Sequence, residues 1–326
     1  MAARAPCWNA EAHTPRQIAR QGNANAQRAP ACAHGRSLRQ VRRLQVLLEA
    51  RVTESHQSLT HYPNVNAALS ATLAGIQAVL GDQLIGVYLH GSLANGDFNP
   101  DASDIDLLAA TRDELPARLL PELASMHAQL AGRFKWAGHM EVSYIPLAAL
   151  RRYDPANCHH PALRVDGSFD IDGHGSDWII QRWVIREKGI ALAGPPAATL
   201  IDPVQPDDLR LAALGILREW WTPMLDDTSR LQDSEYQAYA ILTMCRSLYT
   251  LEHRQVVSKP TAARWAQATL GEPDAALIER TLNWRPGMEL DALTGTLDLI
   301  RRTLQRAGVH YAHANTQPTP PQCAGG

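Results

Sequence analysis

Residues 84–111, LIGVYLHGSLANGDFNPDASDIDLLAAT, decide how this chain folds. Two apolar, β-rich runs, LIGVYLH and DIDLLAAT, flank a segment crowded with Gly, Asn, Asp and Pro. That pattern predicts two strands joined by an irregular loop. Side chains at i and i+2 of a strand point to the same face. Asp104 and Asp106 therefore present two carboxylates together, while Ile105 and Leu107 face the core. Adjacent carboxylates repel one another unless a cation lies between them. Magnesium prefers one or two carboxylates completed by substrate phosphates over an all-protein cage, so the pair suits a magnesium-bound nucleotide. Gly91 and Ser92 close the first strand, where small residues let backbone N–H groups and a hydroxyl approach a phosphate.

Outward from this stretch, HMEVSYIP (139–146) predicts a third strand that can set Glu141 beside the aspartates. A carboxylate so placed can bind a metal or take a proton from an attacking hydroxyl, and the base role is assigned to it. Helical spacing marks 65–80, 113–131 and DWIIQRWVIREKG (177–189); IALAGPP begins a further short strand. Residues 154–176, with two prolines and several Gly and His, read as a loop. Pro203 and Pro206 punctuate a boundary. Beyond it, 207–221, 233–254, 260–270, 274–283 and 288–307 are all helical, joined by short connections. The expected class is α+β: a mixed-sheet domain over 58–203, then a helical bundle over 204–312. Residues 1–57 are expected to be a disordered extension, with a short amphipathic helix at 37–50, and 313–326 a disordered tail.

The formal net charge is −2, but it is unevenly spread. Residues 1–51 hold nine arginines against Glu11 and Glu49, a local +7 that leaves −9 on the remainder. An acidic body favours a cationic partner and disfavours nucleic acid, whose phosphates select positive surfaces. No apolar run approaches the length of a membrane span. Five scattered cysteines without a CxxC pair fit neither a disulfide framework nor a zinc site, and a cytoplasmic location is expected. His159, His160, His174 and Cys158 fall in one loop, but their spacing matches no standard zinc pattern; surface-loop histidines are expected.

The run LHGSLANGDFNPDASDIDLL resembles the active-site signature of the nucleotidyltransferase superfamily, polymerase-beta-like in fold. Nearly all of 65–310 is similar to the aminoglycoside adenylyltransferases that inactivate streptomycin and spectinomycin. The likeness continues through IREKGIALAGPPAATLIDPV and SKPTAARWA. It implies transfer of AMP from ATP to an antibiotic hydroxyl, with two magnesium ions, by a monomer acting on small molecules and not on nucleic acid or membrane. It makes Asp104 and Asp106 the magnesium ligands and Glu141 the base, with Gly91, Ser92 and Ser103 at the nucleotide phosphates. Arg246 and Lys259 match phosphate-contacting basic residues, and Trp221 and Asp226 match a pair that contacts streptomycin. An aromatic face can cover a sugar while a carboxylate accepts hydrogen bonds from a guanidinium. Trp220 is adjacent, so either tryptophan of the pair can instead be core.

The chain departs from compact family members in the 1–57 extension, in 154–176, and in a longer link from Trp221 to Arg246. These departures bear on the acceptor. The alternative is an adenylyltransferase of the same fold that modifies a protein, an RNA or another small molecule.

Overall fold

Alternation along the strands builds a sheet with a packed layer on each face. The computed structural model of the chain describes residues 59–309 apart from Ala102. The readings at 1–57 and 313–326 lie outside the described residues. The chain divides into two units at Gln205/Pro206.

The first unit opens with α1 (Pro63–Leu80), then β1 (Leu84–His90), the short α2 (Gly91–Asn95), β2 (Ile105–Thr111), α3 (Leu120–Ala131) and β3 (Met140–Pro146). It continues through α4 (Leu147–Arg151), β4 (His159–Leu163), β5 (Phe169–Gly173), α5 (Asp177–Lys188) and β6 (Ile190–Ala193). The six strands form one mixed sheet in the order β5-β4-β3-β2-β1-β6. Among the described residues only β2 and β3 pair in parallel, as expected where a helix makes the crossover between them. Val87, Leu89, Ile105, Leu107, Ala109, Val142 and Tyr144 pack on one face against α1 and α3. Tyr88, Leu108, Ala110 and Ile145 pack on the other, against α4 and α5. Burial on both faces explains why β2 reads as a nearly continuous apolar run.

In this unit three sequence expectations need correction. Residues 154–176 are not a loop: they contain the β4–β5 hairpin, paired from His159↔Gly173 to Leu163↔Phe169. Pro161 and the histidines hide β4 from strand propensity, and β5 is mostly exposed, so alternation is weak there. Nor are its histidines all on the surface. His160 and His174 are buried with ring centroids 4.9 Å apart, and His174 stacks on Trp178 at 3.6 Å. The helix expected over 113–131 begins at Leu120, after a 3-10 turn at Ala117–Leu119, with Pro121 in its first turn where a missing N–H costs nothing.

The second unit is helical: α6 (Pro206–Ile216), which runs into a π-turn at Leu217–Trp221, α7 (Ser234–His253), α8 (Lys259–Thr269), α9 (Asp274–Asn283) and α10 (Leu293–Arg306). Helix α10 starts later than the expected 288 because Asp291 holds a left-handed backbone (φ 43°) just before it. Helix α7 is buried over most of its circumference and serves as the unit's axis. Asp233 caps it, accepting from the N–H groups of Glu235 and Tyr236. An ion pair between Asp274 and Arg302 ties α9 to α10. No described helix is long and apolar enough to cross a membrane.

Inside the first unit, His127 Nε2 lies 2.6 Å from the Tyr144 hydroxyl, and burial lowers the imidazole pKa from 6.5 to about 4. The unfolded chain takes up this proton below pH 6.5, whereas the folded chain resists until about pH 4. Stability from His127 is thus complete above pH 6.5 and drains away as the pH falls toward 4, at about 1.4 kcal/mol per pH unit. His127→Gln keeps an acceptor for Tyr144 without a titrating ring. Urea unfolding of this variant between pH 7 and 4 is expected to show a shallower acid loss than wild type by about that slope; an identical slope refutes the assignment.

Candidate active site

The strand registers bring three of the predicted residues together. Cα pairing sets His90 opposite Asp106 across β1 and β2, and Asp106 opposite Glu141 across β2 and β3. Alternation puts all three on the sheet face shared by Tyr88, Leu108 and Ile145, at the end where β1 finishes and β2 begins. Asp104 stands one residue before β2, and its side chain is buried like that of Asp106 (5% and 6% exposed).

Gly91 makes room for this arrangement. Its φ is +67°, which L side chains rarely adopt, and a Cβ there would fall 1.8 Å from Asp106 Oδ2. The Asp106 carboxylate therefore rests directly against the turn that ends β1. Ser92 follows; its buried Oγ has no hydrogen-bond partner among the described residues, so it is an orphaned donor at the lip of the carboxylate cluster. Ser103 closes the intervening loop: its Oγ accepts from the Asn99 N–H at 3.0 Å, and its N–H donates to the Asn99 carbonyl at 2.8 Å. The Ser103 hydroxyl proton stays available to an acceptor.

Burial raises the Glu141 carboxyl well above the ordinary range, and the Asp106 charge adds to the rise. A hydrogen bond from the Val165 backbone opposes it, Asp172 adds to it, and Arg164 opposes it. Two acids paired on neighbouring strands, one with raised proton affinity, form a constellation able to bind a cation and remove a proton. Among the described residues, no group of three or more His, Cys, Asp or Glu side chains is arranged to hold a metal ion. A magnesium ion fits Asp104 and Asp106 as a partial ligand set completed by phosphate and water, which is its usual habit.

His90 belongs to the row and was missed from sequence. It is buried, its Nδ1 has no hydrogen-bond partner among the described residues, and burial lowers its pKa to about 4. Its position immediately before Gly91-Ser92 carries no signal of its own; only the register with Asp106 brings it into the row.

The remaining predicted residues lie in the helical unit. Lys259 opens α8, is largely buried, and holds its ammonium 4.5 Å from the Tyr239 ring centroid. Trp221 sits on the π-turn, fully buried, stacked on Tyr239 at 5.9 Å and near Tyr236. Tyr239, which the sequence reading did not single out, thus joins Trp221 to Lys259. Arg246 lies seven residues beyond Tyr239, on the same side of α7. Asp226 is exposed.

The Gly91 geometry gives a direct test. Gly91→Ala is expected to destabilise the fold by more than Gly96→Ala, which has a similar φ of +79° but nothing within 4 Å of its Cβ. The control carries only the backbone strain, about 1 kcal/mol, and the Gly91 variant adds the collision with Asp106. Equal unfolding midpoints for the two variants would refute the close contact.

Comparison with known proteins agrees with this fold. A model of the nucleotidyltransferase domain matches residues 77–137, and one of the aminoglycoside adenylyltransferase C-terminal domain matches 199–308. The spectinomycin 9-adenylyltransferase of Staphylococcus aureus is 24% identical over 221 residues, covering 64% of this chain and 80% of the relative. The aminoglycoside (3'') (9) adenylyltransferase of Escherichia coli is 27% identical over 263 residues, 76% of this chain and 93% of the relative. The solved spectinomycin adenyltransferase AAD(9) of Enterococcus faecialis, a complex with ATP and spectinomycin, shares the fold with a TM-score of 0.60 at 16% identity. That match covers 73% of this chain and 98% of the other. With a nucleotidyltransferase sheet unit followed by the matching helical domain, the chain belongs to the aminoglycoside adenylyltransferase family.

Proposed function

We propose that the protein transfers AMP from magnesium-bound ATP to a hydroxyl of an aminoglycoside antibiotic, streptomycin or spectinomycin, and so confers resistance. The observation that carries this reading is the in-register pairing of Asp106 with Glu141, seated on the side-chain-free turn at Gly91.

In this reading Asp104 and Asp106 hold magnesium, two ions in all with the phosphates, which supplies charge neutralisation and Lewis-acid polarisation at the phosphates. Glu141 accepts the proton of the drug hydroxyl. The freed oxygen attacks the α-phosphorus in line, the bond to the bridging oxygen breaks, and pyrophosphate leaves. A carboxylate raised in proton affinity by burial and by a neighbouring acid suits that proton transfer. The Ser92 hydroxyl and the Gly91–Ser92 backbone bind phosphate oxygens, with Ser103 as a further donor. Arg246 and Lys259 take the phosphate-contacting role, and Trp221 with Asp226 the drug-contacting role. The buried Trp221 ring is held by Tyr239, so its share is to shape the pocket wall while the exposed Asp226 offers the carboxylate.

The test is pyrophosphate release from Mg·ATP with streptomycin, spectinomycin or kanamycin, beside Asp104→Ala and Asp106→Ala. Release is expected to rise with streptomycin or spectinomycin and to drop by about a thousandfold in either variant, the usual scale for losing a metal or electrostatic contact to the transition state. No stimulation by any drug, despite saturable Mg·ATP binding, would sink the antibiotic reading and point to a protein, RNA or other small-molecule acceptor.

A further inference from the structure

The polar row across the sheet does not stop at Glu141. Strands β3 and β4 are antiparallel with Val142 opposite Leu163 and Ser143 opposite Ala162. One step further along this register, Arg164 stands opposite Glu141. It leaves β4 at the head of the hairpin turn, where its N–H donates to the Ser168 carbonyl at 2.9 Å and its carbonyl accepts from the Gly167 N–H at 2.8 Å. The next residue, Val165, carries its backbone beside the Glu141 carboxylate.

Each nitrogen of the Arg164 guanidinium donates within the hairpin. Nε donates to Asp172 Oδ2 at 3.1 Å, an Nη to Asp172 Oδ1 at 2.6 Å, and the other Nη to Ser168 Oγ at 3.1 Å. The fork therefore spans both arms of the hairpin, and both partners are largely covered (14% and 21% exposed). A bidentate arginine–carboxylate pair fixes distance and plane together, which a lysine cannot do. Here it fixes the turn that carries Val165 past Glu141.

We propose that Arg164, clamped to Asp172, is a positioning residue: it locks the β4–β5 turn so that the Val165 backbone orients the Glu141 carboxylate toward the acceptor hydroxyl. The role rests on Glu141 acting as the base. Arg164 touches neither nucleotide nor acceptor, and its effect passes through one carboxylate. A base held about an ångström out of place loses rate without losing substrate affinity.

The experiment is a double-mutant cycle on the full chain, with Arg164→Gln and Glu141→Gln singly and together. AMP transfer from labelled ATP to the accepted drug is followed long enough to record residual rates, and Mg·ATP binding is measured in parallel. Arg164→Gln is expected to lower kcat about tenfold, to leave KM and Mg·ATP affinity within twofold, and to have no further effect once Glu141 is Gln. Arg164→Lys, which retains the cation but not the fork, is expected to fall between wild type and Arg164→Gln, and it carries the test if the Gln variant does not fold. An unchanged kcat in Arg164→Gln, an equal loss in the Glu141→Gln background, or a parallel loss of Mg·ATP binding each overturns the positioning role. A Glu141→Gln variant at full rate overturns the base assignment itself, which separates failure of that reading from failure of this one.

Discussion

The structure depends on one unfavourable interaction held in place: the carboxylate of Asp106 lies beside that of Glu141, on adjacent strands, at a largely covered end of the sheet. Two such groups repel more strongly as water is removed from around them. Everything nearby serves to keep them paired. The apolar residues of β2 alternate to bury both faces of the strand and so fix its register against β1 and β3. Gly91 gives up its side chain so that Asp106 has a place to rest. The folded chain thus stores an electrostatic demand of the kind that a cation between the two groups would meet.

Most of the sheet could be read from sequence because its signals are strong and local. LIGVYLH and DIDLLAAT are apolar, β-rich and bounded by turn formers, and the flanking helices follow a 3.6-residue period. The hairpin at 159–173 escaped because its information is not local: Pro161, His159 and His160 suit a loop, and only pairing with β3 makes a strand of them. His160 and His174 illustrate the same limit. Nothing in their spacing says that they will be covered by Trp178 and excluded from water.

The candidate site divides in the same way. Asp104, Asp106 and Glu141 were legible because alternation and adjacency are properties of a strand pair. His90, Arg164 and Val165 were not, since each acquires meaning only from a register that joins distant segments. In the helical unit, resemblance marked Trp221 and Lys259, but the ring between them, Tyr239, emerges only from packing. A mid-helix tyrosine carries no sequence signal of that kind.

The row His90, Asp106, Glu141, Arg164 draws one residue from each of four neighbouring strands or their continuations. Its composition is therefore indexed by hydrogen-bond register and not by any single segment. A one-residue insertion inside β2 would replace the Asp106 carboxylate with the side chain of Ile105 or Leu107, and would turn an apolar face to the cluster at the same stroke. Length change in these strands is thus costly, and the Gly96–Asp101 connection is held as well, by Phe98 against Tyr62 and Trp136 and by Asn99 against Ser103. Change in length is left to the sheet edge, and the interior strands stay a fixed ruler.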